Sequence, residues 1–333
     1  MGRTYGRRTF IGCCIFSTVT ILAVLYDEHL QRQRRQVNVV YRLNQINQKE
    51  NMAKYETQKQ RDMLSRFFSP LLKPFRSLTL GGHPDLQKSN WKKDVVYLFQ
   101  FKRSPVIPNL SPFCIKIETF LRAHDIPYEP IGSWTTRSKQ GRVPFIELNG
   151  EQIADSQIII WHLIKHFNID EGLSKEQKAL SRAVERLAEG SIYYPITYFR
   201  SIEGARNSAN PNVSGAPIPS FLIGYFANKI SSNATARLNS EGIGKMPRDV
   251  IIEILRKDIE AVDGLLGDKK FIIGAKPTVA DFTVFGHLGV GYFLPFRQPV
   301  QDILNDEFPR VRGLLERIRL HYWPDWAQGS KEE

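Results

Sequence analysis

The sequence predicts an α+β domain followed by an all-α domain, both placed behind a single N-terminal transmembrane helix and a helical stalk. Three observations carry this. Residues 94–167 read strand, helix, strand, hairpin, helix. From residue 174 onward apolar residues recur mainly at helical spacing. Residues 10–26 form a 17-residue run without a charge, at the lower bound for a bilayer span. The corresponding divisions are 1–26 for tail and anchor, 27–90 for stalk and linker, 91–170 for the α+β domain and 171–330 for the helical domain.

Arg3, Arg7 and Arg8 precede the uncharged run, and Asp27, Glu28, Arg32, Arg34 and Arg35 follow it. No small-x-small cleavage site stands before Tyr26, so a retained single-pass anchor is expected rather than a cleaved signal peptide. Of the +12 net charge, a surplus of eleven falls in residues 1–93 and a surplus of one in residues 94–333. A nucleic-acid binder carries its charge on the folded module or on a dedicated tail with aromatic platforms. Here the charge borders the apolar run, so the bilayer with its acidic headgroups is the expected partner, and nucleic acid is not. Cys13, Cys14 and Cys114 leave no disulfide within the folded region, which favours a reducing compartment and a cytosolic domain. Residues 28–68 are polar, glutamine-rich and free of Gly and Pro. They read either as a solvated helix or as a disordered stalk. Pro70, Pro74, Gly81-Gly82 and Pro84 then mark a linker reaching about Trp91.

Residues 94–101, Asp-Val-Val-Tyr-Leu-Phe-Gln-Phe, read as a buried strand. Ser111 is a good N-cap and Pro112 a good first residue for a helix whose Ile115, Ile117, Phe120 and Leu121 share a face. A second strand is expected around 128–131. Asn149-Gly150 between two apolar runs predicts a hairpin. Asp155-Ser156 opens an apolar helix to Phe167. Ser174 with Gln177 reads as a capping box on a helix expected to kink or end at Pro195. Residues 201–217 read as a loop, and 219–226 as a short apolar segment expected in the core. An amphipathic helix spans 248–266. Thr278 with Asp281 reads as an N-cap and acidic third residue, a structural role. Phe308-Pro309 opens a last helix to Trp323.

This order of elements resembles the thioredoxin-like half of a glutathione transferase. Val143-Pro144 falls where that fold carries a cis-proline, and Asp155-Ser156 where it carries an acidic-Ser pair. The passage Gly274 to Phe282 resembles the Gly-x-x-x-Thr-x-Ala-Asp-Phe signature of the all-α glutathione transferase-like C-terminal domain. More narrowly, Ser111-Pro-Phe-Cys-Ile-Lys116 with Tyr128-Glu129 resembles the failed axon connections branch, related to metaxins. The link from Gly132 to Arg142, too short for the usual helix, suits that branch. The resemblance covers residues 93–325.

The resemblance implies glutathione as the candidate cofactor, with Val143 pairing to its backbone beside Pro144, and Asp155 with Ser156 holding its γ-glutamyl end. The same residues also read as purely architectural, a fold-shaping proline and a helix cap. Redox members of the wider superfamily carry Cys-Pro-aromatic-Cys, whose first thiol gains from the helix N-terminus. Ser111 stands there in this chain, and Cys114 lies a turn further in. Ser111, Cys114 and Ser104 are the catalytic candidates, with Tyr97 as another hydroxyl that activates a thiol in such a fold. The histidines at 124, 162, 166, 287 and 321 show no metal-ligand spacing and read as ordinary helical residues. The branch implies a role in axonal development through protein partners, with a homodimer left open. The rival is a glutathione-dependent transferase acting on a lipophilic substrate near the membrane.

Overall fold

Strand β1 (Val96–Gln100) is apolar at four consecutive positions and buried along its length. In the computed structural model, which describes residues 86–326, it lies in the middle of a four-stranded sheet. The chain leaves β1 through a loop and enters α1 (Pro112–Ala123), capped by Ser111 with Pro112 at its first position, as the spacing predicts. Ile115, Ile117, Phe120 and Leu121 are all buried. Strand β2 (Tyr128–Gly132) pairs parallel with β1, so the first unit is βαβ. Residues 133–142 hold no helix. Strands β3 (Phe145–Leu148) and β4 (Glu151–Ala154) then form the expected hairpin, β3 antiparallel to β1. Asn149 and Gly150 both have positive φ, at 49° and 87°. That is what a two-residue turn matched to strand twist requires, and Gly150 meets it without a Cβ penalty. The peptide bond between Val143 and Pro144 is cis.

One face of the sheet packs Val96, Leu98, Ile146 and Ile153 against α1 and against α2 (Ser156–His166). The other face carries Tyr97, Phe99 and Phe145, with the Phe99 and Phe145 rings stacked at 4.5 Å. No helix follows β2 to cover that face. Residues 87–92, expected as linker, lie on it instead. The Gln87 and Lys88 amides donate to the Glu147 carboxylate, each at 2.8 Å, and the Lys92 amide donates to Tyr97 Oη at 2.9 Å.

The helical part begins with α3 (Lys175–Leu187), whose Ser174–Gln177 capping box is present. The helix does not end at Pro195. It passes through a π turn (Ala188–Ile192) into α4 (Tyr193–Tyr198), with Pro195 inside, and then through a second π turn (Phe199–Glu203). A π turn widens the ladder, so carbonyls near Pro195 are already out of i→i+4 register and the missing N–H is tolerated. The expected loop at 201–217 is largely helical instead. It holds α5 (Ala205–Ala209) and α6 (Pro211–Ser214), the latter capped by Asn210 with Pro211 at its first position. Ala205 and Ala209 pack on Ala227 of α7 (Ile223–Ser240), where small side chains allow close approach. The segment 219–226 is not core as expected, since Phe221 is 82% and Tyr225 63% exposed.

The amphipathic helix α8 (Arg248–Leu266) buries Ile251, Leu255, Ile259, Val262 and Leu266, as its spacing predicts. Helix α9 (Val279–Tyr292) is buried on almost every side and packs along α1. Gly286 makes this approach workable, because a Cβ there would lie 2.5 Å from the Pro112 carbonyl oxygen. Helices α10 (Pro299–Asp302) and α11 (Pro309–Tyr322) complete the fold. Among the described residues no helix is long and apolar enough to cross a membrane. The expected anchor at 10–26, and the stalk and linker as far as residue 85, lie outside the described residues.

Candidate functional site

Strand register gathers the predicted site residues at one end of the sheet. Phe99 stands opposite Phe145, and Phe145 opposite Ala154. The exit of β1 toward α1, the entry to β3 at Val143-Pro144 and the exit of β4 at Asp155 therefore share an edge. Asp155 caps α2 by accepting from the amides of Gln157 (2.9 Å) and Ile158 (3.3 Å). Its φ of 76° is uncommon for a residue with a side chain and costs on the order of 1–3 kcal/mol. Asp155 is exposed, Ser156 and Pro144 are buried, and Val143 is half-buried.

The catalytic candidates are all engaged in structure. Ser111 Oγ accepts from the Cys114 amide at 3.4 Å. Ser104 Oγ donates to the Val213 carbonyl at 2.6 Å and accepts from the amides of Val106 and Ile107. It ties its loop to the helical part instead of facing the shared edge. Tyr97 lies on the sheet face away from α1 and accepts from Lys92. Cys114 is fully buried, and burial pushes its thiol up to about 12. A thiol held that far above neutral pH supplies almost no thiolate.

Charges buried behind this edge escape sequence reasoning. Glu118 is fully buried and accepts from Gln100 Nε2 (2.7 Å), Arg103 and Tyr128 Oη (3.0 Å). Lys116, also fully buried, donates to Gln157 Oε1 and to Glu189, each at 2.8 Å. It thus joins α1 to the first turn of α2 and to the π turn after α3. Desolvation pushes Glu189 up, but the charge and the hydrogen bond of Lys116, with a smaller contribution from Arg186, together hold it below the usual carboxylate range. A signal for this pair of charges existed: Lys116 and Glu118 interrupt a helix apolar enough to be buried all round, and charges there need partners.

Two further groups complete the site from the helical side. Arg200, on the second π turn, donates through Nη1 to the Leu110 carbonyl, directly before Ser111. His287 of α9 is fully buried. Its Nδ1 meets the Thr283 carbonyl at 2.8 Å, and its ring stands edge-on to Phe113, centroids 5.0 Å apart. Burial lowers its pKa to about 4, so the ring is neutral near pH 7. The sequence reading as an ordinary helical residue missed this burial. Nothing local to residue 200 marked Arg200.

Comparison with known proteins agrees with this architecture. The family model described as glutathione S-transferase N-terminal domain matches residues 112–207, and that of the glutathione S-transferase C-terminal domain matches residues 255–318. Failed axon connections of Drosophila melanogaster is 33% identical over 260 residues, which cover 73% of this chain and 62% of that protein. This chain thus matches less than two thirds of that relative's length. Isoprene-epoxide–glutathione S-transferase of Rhodococcus sp. is 28% identical over 65% of this chain and 94% of its own. Metaxin-2 of Homo sapiens is 23% identical over 72% and 92%. Among solved structures, the beta-etherase LigF of Sphingobium sp. overlays with a TM-score of 0.51 at 14% identity, covering 70% of this chain and 98% of its own, a likeness of fold.

Proposed function

Because the chain belongs to the glutathione transferase-like family of failed axon connections, related to metaxins, we propose that it uses this fold as a membrane-anchored interaction module without thiol chemistry. The observation that carries the reading is the state of the α1 N-terminus. Ser111 occupies the nucleophile position as a cap, and Cys114 is buried with its thiol pushed up to about 12. The uncharged run at 10–26 with its flanking arginines supports an anchor. The name of the Drosophila relative supports a role in axonal development, exercised through protein partners. Glutathione, if held, would rest on the Val143-Pro144 edge and on Asp155 with Ser156, as a bound peptide and not as a thiol donor.

The second reading is a transferase acting on a lipophilic substrate near the bilayer. The Rhodococcus transferase favours it, since that likeness spans nearly all of the relative. Incubating the full-length protein with glutathione and a chlorodinitrobenzene electrophile separates the two. The interaction module gives no conjugation above the uncatalysed rate. Saturable conjugation sensitive to substitution of Ser111 or Ser104 establishes the enzyme. The anchor is tested by alkaline carbonate, which should leave the full-length protein in the membrane pellet.

A further inference from the structure

The start of α7 carries the most exposed large apolar side chain of the described residues, Phe221 at 82%, with Tyr225 at 63% four residues on. Lys229, also exposed, follows at the same spacing, so the three form one stripe that begins aromatic and ends basic. The stripe lies in an uncharged stretch. No charge occurs from Asn207 to Asn228, and the residues that bound this run, Arg206 and Lys229, are both exposed cations. Helix α7 itself carries Lys229 and Arg237 and no carboxylate. An apolar tip with a cation behind it and no acid on its helix complements a surface of acidic headgroups over hydrocarbon.

The backbone of the tip suits the same surroundings. Pro217 and Pro219 have no N–H to leave unpaired. The Ile218 amide donates to the Ala216 carbonyl at 2.8 Å, and the Leu222 amide to the Pro219 carbonyl at 2.9 Å. Free donors are costly where water is scarce, so a tip with few of them can enter the headgroup layer. Tyrosine adds a ring with one apolar and one polar end, which is at home at that depth.

Area separates a lipid surface from a protein partner. Two aromatic rings bury at most about 400 Å² between them, roughly half of what each side of a stable protein interface covers. So small a contact holds only where the domain is already kept near its partner, because the second contact is then intramolecular. The anchored reading above supplies that condition. Residues 27–85 reach at most about 200 Å at roughly 3.4 Å per residue, and an anchor that far along the chain leaves the facing side of the domain unspecified.

We propose that Phe221, Tyr225 and Lys229 form a second membrane contact, which lays the tip of α7 into an acidic lipid surface and orients the domain there. The rings enter the headgroup layer, and Lys229 stays among the phosphates one turn behind. The contact rests on the anchored reading for its strength, and it lies on the membrane without spanning it.

The test uses the full-length protein with Cys13 and Cys14 replaced by serine and an NBD fluorophore on Asn228→Cys, an exposed position three residues from Tyr225. Cys114 is buried and stays unlabelled. The protein is reconstituted into vesicles of three parts phosphatidylcholine to one part phosphatidylserine. Doxyl-labelled phosphatidylcholine should quench the fluorophore, and its emission should shift to the blue. Phe221→Ser combined with Tyr225→Ser, both at exposed positions, should lower the docked-to-free ratio about tenfold or more. Absence of lipid quenching, or quenching unchanged in the double variant, would overturn the proposal. A blue shift without lipid quenching that grows with protein density would overturn it too, by assigning the patch to a second copy of the chain. Alkaline carbonate judges the anchor separately on the same samples. Release of the protein would sink the anchored reading alone, because the fluorophore still reads the patch when vesicles are in excess.

Discussion

Helices α1 and α9 pack along each other, and both begin on a hydroxyl residue followed three positions later by the residue that decides the helix end. In α9 that residue is Asp281. Its carboxylate accepts from the Ile272 amide (2.8 Å), the Thr278 amide (2.8 Å) and Thr278 Oγ1 (2.9 Å), so the start of the helix is closed by its own side chains. In α1 that residue is Cys114, which gives the helix end no negative charge, and Ser111 satisfies one amide through a long bond. Arg200, which no carboxylate among the described residues pairs with, then approaches the same end through the Leu110 carbonyl. Similar local patterns thus yield one helix start that is a structural knot and one that remains electropositive. The lesson is that the third residue, more than the cap itself, decides whether a helix end is closed by its own side chains.

The sharpest way to break the closed end is Asp281→Ala. Two buried amides would lose their acceptor, and the loss should be about 4 kcal/mol at roughly 1–3 kcal/mol per stranded group. A denaturant midpoint that does not move would contradict the account. Asp281 also bears on pH dependence, since burial raises its pKa despite these hydrogen bonds. Its own contribution therefore weakens as pH rises through that folded value, whereas a paired surface carboxylate loses stability as pH falls.

His287 gives the next effect and reports on the α1 side. Its folded pKa is lowered from 6.5 to about 4 by burial. The unfolded chain takes up the proton first, so its stabilising contribution is complete above 6.5 and is lost as pH falls toward 4. The loss is roughly 3 kcal/mol if titration runs to completion. Melting curves of the protein and of His287→Phe between pH 7 and 4 should converge as pH falls. Parallel curves would show that the ring is not buried neutral.

Smaller effects separate the two caps directly. Thr278→Ala should cost about 1 kcal/mol, within the usual range for a cap. Ser111→Ala should cost about 0.5 kcal/mol, at the low end, because its bond to the Cys114 amide is long. Urea titration of both variants gives the order, and the reverse order would remove the distinction drawn here.

What the sequence made legible follows from range. Strand β1, the Asn149-Gly150 hairpin, the α1 and α9 caps and the face of α8 are specified within a few residues, by alternation, turn chemistry or helical spacing. The positions of Pro144 and Asp155 were legible for the same reason, through the order of elements. Features set by distant contacts were not. The π turns around Pro195, the short helices α5 and α6, and the cover that residues 87–92 provide for Tyr97 all depend on partners far along the chain. The exposure of Phe221 and Tyr225 could not be told from burial by hydropathy alone. Arg200 belongs to this class as well, since it acquires meaning only where its side chain meets Leu110, ninety residues earlier.

The central claim is that the α1 N-terminus is not a thiol centre, and iodoacetamide reactivity of Cys114 tests it most directly. Cys13 and Cys14 are first replaced by serine so that a single thiol remains. With its thiol buried and pushed up to about 12, Cys114 should resist alkylation at neutral pH and react fully once the protein is unfolded. Thiol transfer from a glutathione mixed disulfide should be absent. Rapid alkylation of the folded protein at neutral pH, together with thiol transfer abolished by Cys114→Ser, would contradict the account and identify the protein as a redox enzyme.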